Sequence, residues 1–230
     1  MSLVFLHGWG QSDQIWFEQR QHFPQAHYLN LSGDHLESLH QTTPAKGITL
    51  VGWSLGGMLA IQWALQYPKQ IQSLVLVSCT PSFRQRRDWL HGCDDATFQG
   101  FCDGIHARAN KTMSRFFALM FHGDGLERSR YNQIAHLAIN KASPPSQQTL
   151  EQGLTELSEW DLRSQLAHIT QPCLVLHGQQ DAVIPIEAGQ HLAAHIPEAQ
   201  WQSFAGCGHA PFITHSQTFN QILESWCPTH

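Results

Sequence analysis

Ile48-Thr49-Leu50-Val51-Gly52-Trp53-Ser54-Leu55-Gly56-Gly57-Met58-Leu59-Ala60 is the stretch from which the rest of the chain is placed. Its first four residues are apolar or β-branched and read as a strand. From Gly57 onward, small and apolar residues follow at helical spacing. Between the two lies Gly52-Trp53-Ser54-Leu55-Gly56, a GxSxG turn. Such a turn puts its serine in a strained backbone conformation and lifts the hydroxyl above the sheet, where it acts as a nucleophile. Gly52 and Gly56 flank the crossing of strand and helix, where side chains would collide. Ser54 is therefore the candidate nucleophile; the alternative is a glycine-rich turn that happens to contain a serine.

Upstream, Leu3 to Leu6 reads as a buried strand running into His7-Gly8-Trp9-Gly10. In serine hydrolases an HG loop at this place supplies one backbone N–H of the oxyanion hole, and the residue after the nucleophile supplies the other. Trp9 and Leu55 fit those roles. Gln14 to Phe23 has helical spacing, and His27 to Leu31 is a short strand ending in Ser32-Gly33-Asp34; the segment from there to Lys46 is brief and polar. Tyr67-Pro68 stops the elbow helix, and Ile71 to Val77 is a strongly apolar strand, so the βαβ repeats imply a parallel sheet.

The alternation resumes after Pro172. Cys173 to Gly178 is a strand leading to Gln179-Gln180-Asp181, Ala188 to His195 a helix, Trp201 to Phe204 a last strand, and Thr218 to Trp226 a closing helix. Asp181 sits on the loop after a late strand, and His209 lies in Gly206-Cys207-Gly208-His209, whose glycines let an imidazole enter a site. Chain order Ser54, Asp181, His209 is that of a nucleophile, acid and base set on strand ends. A solvated turn aspartate and a packing histidine are the plain alternatives.

Between Cys79 and about Leu166 the strand signal vanishes. Helical patterns cover Ala96 to Ala107, Lys111 to Phe121, Leu126 to Lys141 and Thr149 to Leu157, so the expected organisation is a core of residues 1–80 and 167–230 with a helical cap at 81–166. Phe83, Trp89, Phe116, Phe117, Leu119, Met120 and Phe121 either line a pocket under the cap or pack within it. Arg84, Arg86, Arg87, Arg108, Lys111, Arg115, Arg128, Arg130 and Lys141 concentrate positive charge there, as a docking surface for an acidic partner or as solvated helix faces.

A net charge of −5 and a pI near 6.3 give no global electrostatic case for nucleic acid or an anionic membrane. No apolar run approaches the roughly 18 to 20 residues that span a bilayer. The apolar start lacks the basic flank of a signal peptide, so a cytoplasmic protein is expected; it is also expected to be a monomer. Six cysteines without CxxC spacing fit reduced thiols. The sixteen histidines are read as forming no HExxH or HxxxH pair on a helix, and neither metal nor cofactor is expected. A serine at the elbow, instead of an aspartate, points to acyl transfer to water.

His7-Gly8-Trp9-Gly10, Gly52-Trp53-Ser54-Leu55-Gly56-Gly57, Thr80-Pro81-Ser82-Phe83 with Trp89, Arg115-Phe116-Phe117-Ala118-Leu119, Trp160-Asp161-Leu162-Arg163 and His209-Ala210-Pro211-Phe212-Ile213 together resemble the pimeloyl-acyl-carrier-protein methyl ester esterases of biotin synthesis, of the α/β-hydrolase superfamily. The resemblance spans nearly the whole chain. It implies an α/β-hydrolase fold, with a mostly parallel sheet between helices and a helical cap, and hydrolysis of a pimeloyl methyl ester carried on acyl-carrier protein. It also implies an oxyanion hole at Trp9 and Leu55, a substrate site of Trp9, Ser54, Leu55 and His209 with an acyl channel lined by Phe116, Phe117, Ala118, Leu119 and Met120, and carrier docking on Lys111, Arg115 and Arg128. A fourth basic position falls at Asn132, with Arg130 nearby. The family's extra N-terminal strands and its DxPGxGxS loop have no counterpart here, which implies a smaller sheet and a pocket more open beside residues 31–46. Other readings of the same triad are a general short-chain carboxylesterase, a lyase like that of the menaquinone pathway, or a ligand-binding hydrolase relative without catalysis.

Overall fold

The computed structural model describes residues 2–31, 40–41, 43–44, 46–139 and 142–227. The expected Ser32-Gly33-Asp34 turn, most of the short 31–46 segment and Lys141 lie outside the described residues. Six strands, β1 (Ser2–Leu6), β2 (His27–Leu29), β3 (Ile48–Trp53), β4 (Ile71–Val77), β5 (Cys173–Gly178) and β6 (Ala199–Phe204), form one parallel sheet in the order β2-β1-β3-β4-β5-β6. The central β3 and β5 are buried along their whole length. The edge strand β6 alternates between half-buried and exposed residues until Phe204. This is the expected contrast between a strand covered on both faces and one at a rim.

Register aligns the carboxyl ends of the strands. Leu6 of β1 lies beside Gly52 of β3, Trp53 of β3 beside Val77 of β4, and Val77 beside Leu176 of β5. The chain places β2 on one side of β1 and β3 on the other, so its direction of progress reverses there. In open α/β sheets the crevice outside such a reversal is where ligands bind. His7 leaves β1 and Ser54 leaves β3 at this place.

A 3₁₀ turn (Asp13–Trp16) leads into α1 (Phe17–His22), and α2 (Leu55–Gln66) follows the elbow. Among the described residues, three α-helices and a 3₁₀ turn (Arg163–His168) fill the interval between β4 and β5: α3 (Asp95–Met120), α4 (Arg128–Ala138) and α5 (Gln147–Glu159). Two of the four expected cap helices are thus the arms of α3, which is broken at Arg108 by non-helical φ −156° and ψ 62°. The expected 126–141 helix ends earlier, at Ala138, and its last expected residues lie outside the described ones. Then come α6 (Ile186–His195), α7 (Pro211–Thr214) and α8 (Ser216–Trp226). One sequence reading is corrected here. His191 and His195 are an HxxxH pair on α6, with rings stacked at 3.8 Å.

The helical segment is tied to the sheet by specific bonds as well as by apolar packing. Trp9 Nε1 donates to the Leu150 carbonyl at 2.9 Å, while its ring meets Phe116 edge-on at 5.0 Å. Arg130 pairs with Glu18 at 2.9 Å. All six cysteines are free thiols, and burial pushes Cys207 up to about 12. Among the described residues no helix is long and apolar enough to cross a membrane.

Glycines set the distance between α2 and the sheet. A Cβ on Gly56 would sit 2.5 Å from the carbonyl oxygens of Leu6 and His7, both backbone atoms that cannot step aside. Gly100, exposed inside α3, would meet nothing within 4 Å. Gly56→Ala should therefore cost about 3 kcal/mol or more by overpacking. Gly100→Ala should instead stabilise by about 0.5–1 kcal/mol through its helix propensity. Urea midpoints check both, and equal midpoints for the two variants would contradict the packing assigned to the elbow.

Candidate active site

Ser54 follows the last residue of β3 with φ 57° and ψ −121°, in the left-handed half of backbone space that non-glycine residues avoid. Strand and helix hold it there together. Its N–H donates to the Val77 carbonyl of β4 at 3.0 Å, and its carbonyl accepts from Gly57 at 2.9 Å and Met58 at 3.2 Å. Gly8 lies directly against the serine, since a Cβ there would be 3.1 Å from Ser54 Cβ. The elbow expected from the sequence is present in its strained geometry.

Leu55 opens α2, so its amide is one of the unsatisfied first-turn donors of a helix. Among the described residues neither the Leu55 nor the Trp9 amide has a hydrogen-bond acceptor. His7 shapes the loop that carries Trp9. The Leu31 amide donates to its Nε2 at 3.0 Å, so the ring proton is on Nδ1, which donates to the Gly8 carbonyl at 2.9 Å.

Asp181 and His209 meet in a fully buried pair. Asp181 Oδ1 accepts from the amides of Val183 at 2.8 Å and Ile184 at 2.9 Å, which fixes the carboxylate on its own turn. Its Oδ2 lies 2.7 Å from His209 Nδ1. Burial by itself raises a carboxyl's pKa. Here the charge of His209 and the hydrogen bonds from His177 and His209 outweigh it and hold Asp181 below the usual carboxylate range. With Asp181 ionised, Nδ1 carries the ring proton and His209 Nε2 is the basic nitrogen. That Nε2 is buried and has no hydrogen-bond partner, so the serine hydroxyl is not bonded to it in this structure. Catalytic hydrogen bonds are often long before substrate binds.

Three residues outside the expected set join this site. Trp53 Nε1 donates to the His209 carbonyl at 2.8 Å, with ring centroids 5.2 Å apart. His177, at the end of β5, points Nε2 at the Ile184 carbonyl at 3.0 Å and at Asp181 Oδ2 at 3.3 Å. Asp124, on the turn after α3, accepts from the Gly208 amide. Position inside the elbow was a signal for Trp53, and the spacing of four residues before Asp181 was one for His177. Asp124 had no local signal.

The expected channel residues divide. Phe116, Phe117 and Met120 are buried, Leu119 is half-buried and Ala118 is exposed. A cleft of about 820 Å³ runs between the helices and the loop after β1, lined by His7, Leu31, Met113, Phe117 and Leu150 among others. It lies on the side where the sequence implies a more open pocket. Of the expected docking residues, Lys111, Arg115 and Arg128 are exposed and have no ion-pair partner among the described residues, whereas Arg130 is held by Glu18. Arg84 and Arg86 are likewise engaged, with Asp95 and Asp161.

A family model described as alpha/beta hydrolase fold matches residues 29–216. Among curated proteins, a pimeloyl-[acyl-carrier protein] methyl ester esterase of Nitrosomonas europaea is 35% identical, covering 97% of this chain and 94% of its own. One of Aromatoleum aromaticum is 33% identical, with 96% of each chain covered. Among solved structures, an esterase from Exiguobacterium antarcticum superposes with a TM-score of 0.86 at 21% identity, over 98% of this chain and 91% of that one. A bromoperoxidase from Bacillus anthracis gives 0.83 at 24% identity, with the same coverage, and both likenesses speak to the fold alone. With strand order, elbow and full-length relatives in agreement, the chain belongs to the α/β-hydrolase family, in its branch of pimeloyl-[acyl-carrier protein] methyl ester esterases.

Proposed function

We propose that this protein hydrolyses the methyl ester of pimeloyl-acyl-carrier protein, releasing methanol and the free carboxylate in biotin synthesis, as a cytoplasmic monomer. The observation that supports the chemistry is the buried Asp181–His209 pair, with Nε2 left unbonded, tied through the His209 carbonyl to the indole of Trp53, the neighbour of a serine at φ 57°. The full-length relatives support the substrate. In this reading Nε2 takes the Ser54 proton as Oγ attacks the ester carbon, then delivers it to the leaving methoxide. Water, deprotonated by the same nitrogen, cleaves the acyl-enzyme. Asp181 holds the ring tautomer and stabilises the imidazolium. The Trp9 and Leu55 amides meet the oxyanion, at about 3 to 4 kcal/mol per donor.

On the binding side, Phe116, Phe117, Leu119 and Met120 surround the acyl chain; the exposure of Ala118 argues against the same role for it. Lys111 and Arg115, four residues apart on α3, with Arg128 at the start of α4, face the acidic carrier. Arg130 is better read as a brace to Glu18 than as a docking residue.

Ser54→Ala should lose ester hydrolysis while keeping the wild-type melting temperature, and should fail to rescue a biotin auxotroph that lacks its own pimeloyl methyl ester esterase and that the wild type rescues. Rescue by neither protein, with both soluble and hydrolysing small esters only in the wild type, would favour a general carboxylesterase. Arg115→Glu should raise KM for the carrier-linked ester about tenfold, or ~1.4 kcal/mol, and leave a small ester within twofold; equal effects on both would remove the docking role. Asp181→Asn should lower kcat by about 10⁴-fold. The Asp181 carboxyl is depressed below its unfolded value of about 3.9, so its stabilising contribution is complete above that pH and is lost as pH falls through the folded value. The gap in urea midpoint between wild type and Asp181→Asn should therefore be constant above about pH 4 and shrink as the pH is lowered below it, and a gap that does not shrink below about pH 4 would contradict the charged, hydrogen-bonded carboxylate.

A further inference from the structure

The loop that carries His209 is held from two sides. On the sheet side, Trp53 Nε1 donates to the His209 carbonyl at 2.8 Å. On the other side the partner is the turn that ends α3. The His209 amide donates to the Met120 carbonyl at 2.8 Å, and the preceding amide, of Gly208, donates to Asp124 Oδ1. Gly208 admits this approach because it has no side chain, and a Cβ there would lie 2.8 Å from the Met120 carbonyl oxygen. Gly123 brings the same turn against the acid's loop, where its Cβ would lie 3.1 Å from that of Gln180. A single turn, 121–125, therefore packs on both catalytic loops. Asp124 Oδ2 is buried without a hydrogen-bond partner, so among the described residues the Gly208 amide is the one group that this side chain bonds.

Asp124 is half-buried, and burial raises its carboxyl above the usual range although the Gly208 amide favours the charged form; a polar group kept there at that cost for one backbone N–H has a use where the geometry of the bond matters. Resting on the triad reading above, we propose that Asp124 is a positioning residue for the catalytic base. Its carboxylate holds the Gly208 peptide and so fixes where His209 presents Nε2 to the serine and the substrate. It touches neither, and works through the backbone of its neighbour. Because an amide oxygen also accepts from an N–H, asparagine should do most of this work and alanine none of it.

The test uses the full chain as Asp124→Ala and Asp124→Asn, p-nitrophenyl acetate as substrate, and the rate of serine labelling by an alkyl fluorophosphonate. Asp124→Ala should lower kcat at least tenfold with KM within twofold, and slow labelling by a similar factor. Asp124→Asn should stay within about threefold of wild type on both readouts. Wild-type kcat in Asp124→Ala, or equal impairment of the two variants, would overturn the proposal, as would a loss confined to KM. If the alanine variant does not fold, the amide proton of Gly208 in the ¹⁵N spectrum decides. It should be shifted downfield in the wild type and move upfield in Asp124→Asn, and a random-coil position in the wild type would overturn the bond. Ser54→Ala is the control for the underlying reading. Full turnover in that variant would sink the triad and this role with it, whereas a dead Ser54→Ala beside an unaffected Asp124→Ala would sink this role alone.

Discussion

Ser54 occupies a backbone conformation that costs of order 1–3 kcal/mol to hold, and much of the architecture around it exists to impose that conformation. The serine cannot relax toward ordinary strand geometry while its N–H is bonded to Val77 and its carbonyl already accepts the first bonds of α2. α2 in turn lies close enough to β1 for this to happen because Gly56 offers no side chain to the Leu6 and His7 carbonyls. The strain is local and its supports are spread over three strands and a helix. The site's other members are placed relative to this point by the common register of the strand ends.

A second constraint is dielectric. Asp181 and His209 are withdrawn from water, where an unpaired carboxylate would take up a proton. Two turn amides, His177 and His209 itself replace the lost hydration. The ionised carboxylate then dictates the tautomer of His209, and the tautomer dictates which ring nitrogen is left without a proton. Burial, charge and proton position are one linked arrangement.

Legibility in the sequence followed how local the signal was. β3, the elbow and α2 were readable because strand composition, glycine spacing and helical period change within thirteen residues, 48–60. β1, β4 and β5 were readable as buried apolar runs, and His209 from its glycine-flanked loop after the last strand. The two arms of α3 are legible as separate helical patterns, and the gap between Ala107 and Lys111 falls on the break at Arg108. Arg130 looked like a free cation because its partner, Glu18, is 112 residues away. Asp124 lay in an ordinary Gly-Asp-Gly turn, and only the fold brings the Gly208 amide to it. The stacked His191 and His195 were overlooked, although their spacing was there to read.

The bond from the Trp53 indole to the His209 carbonyl joins residues 156 positions apart. During synthesis the elbow, β1, β3 and β4 are available to pair well before β5, β6 and the loops beyond them leave the ribosome, an interval on the order of ten seconds at ordinary translation rates. Through that interval the nascent chain carries the elbow serine without the His209 imidazole. On the proposed mechanism the last quarter of the polypeptide, from β5 onward, works as an arming segment, and a product cut short before His209 would carry the elbow and lack the nitrogen proposed to activate it.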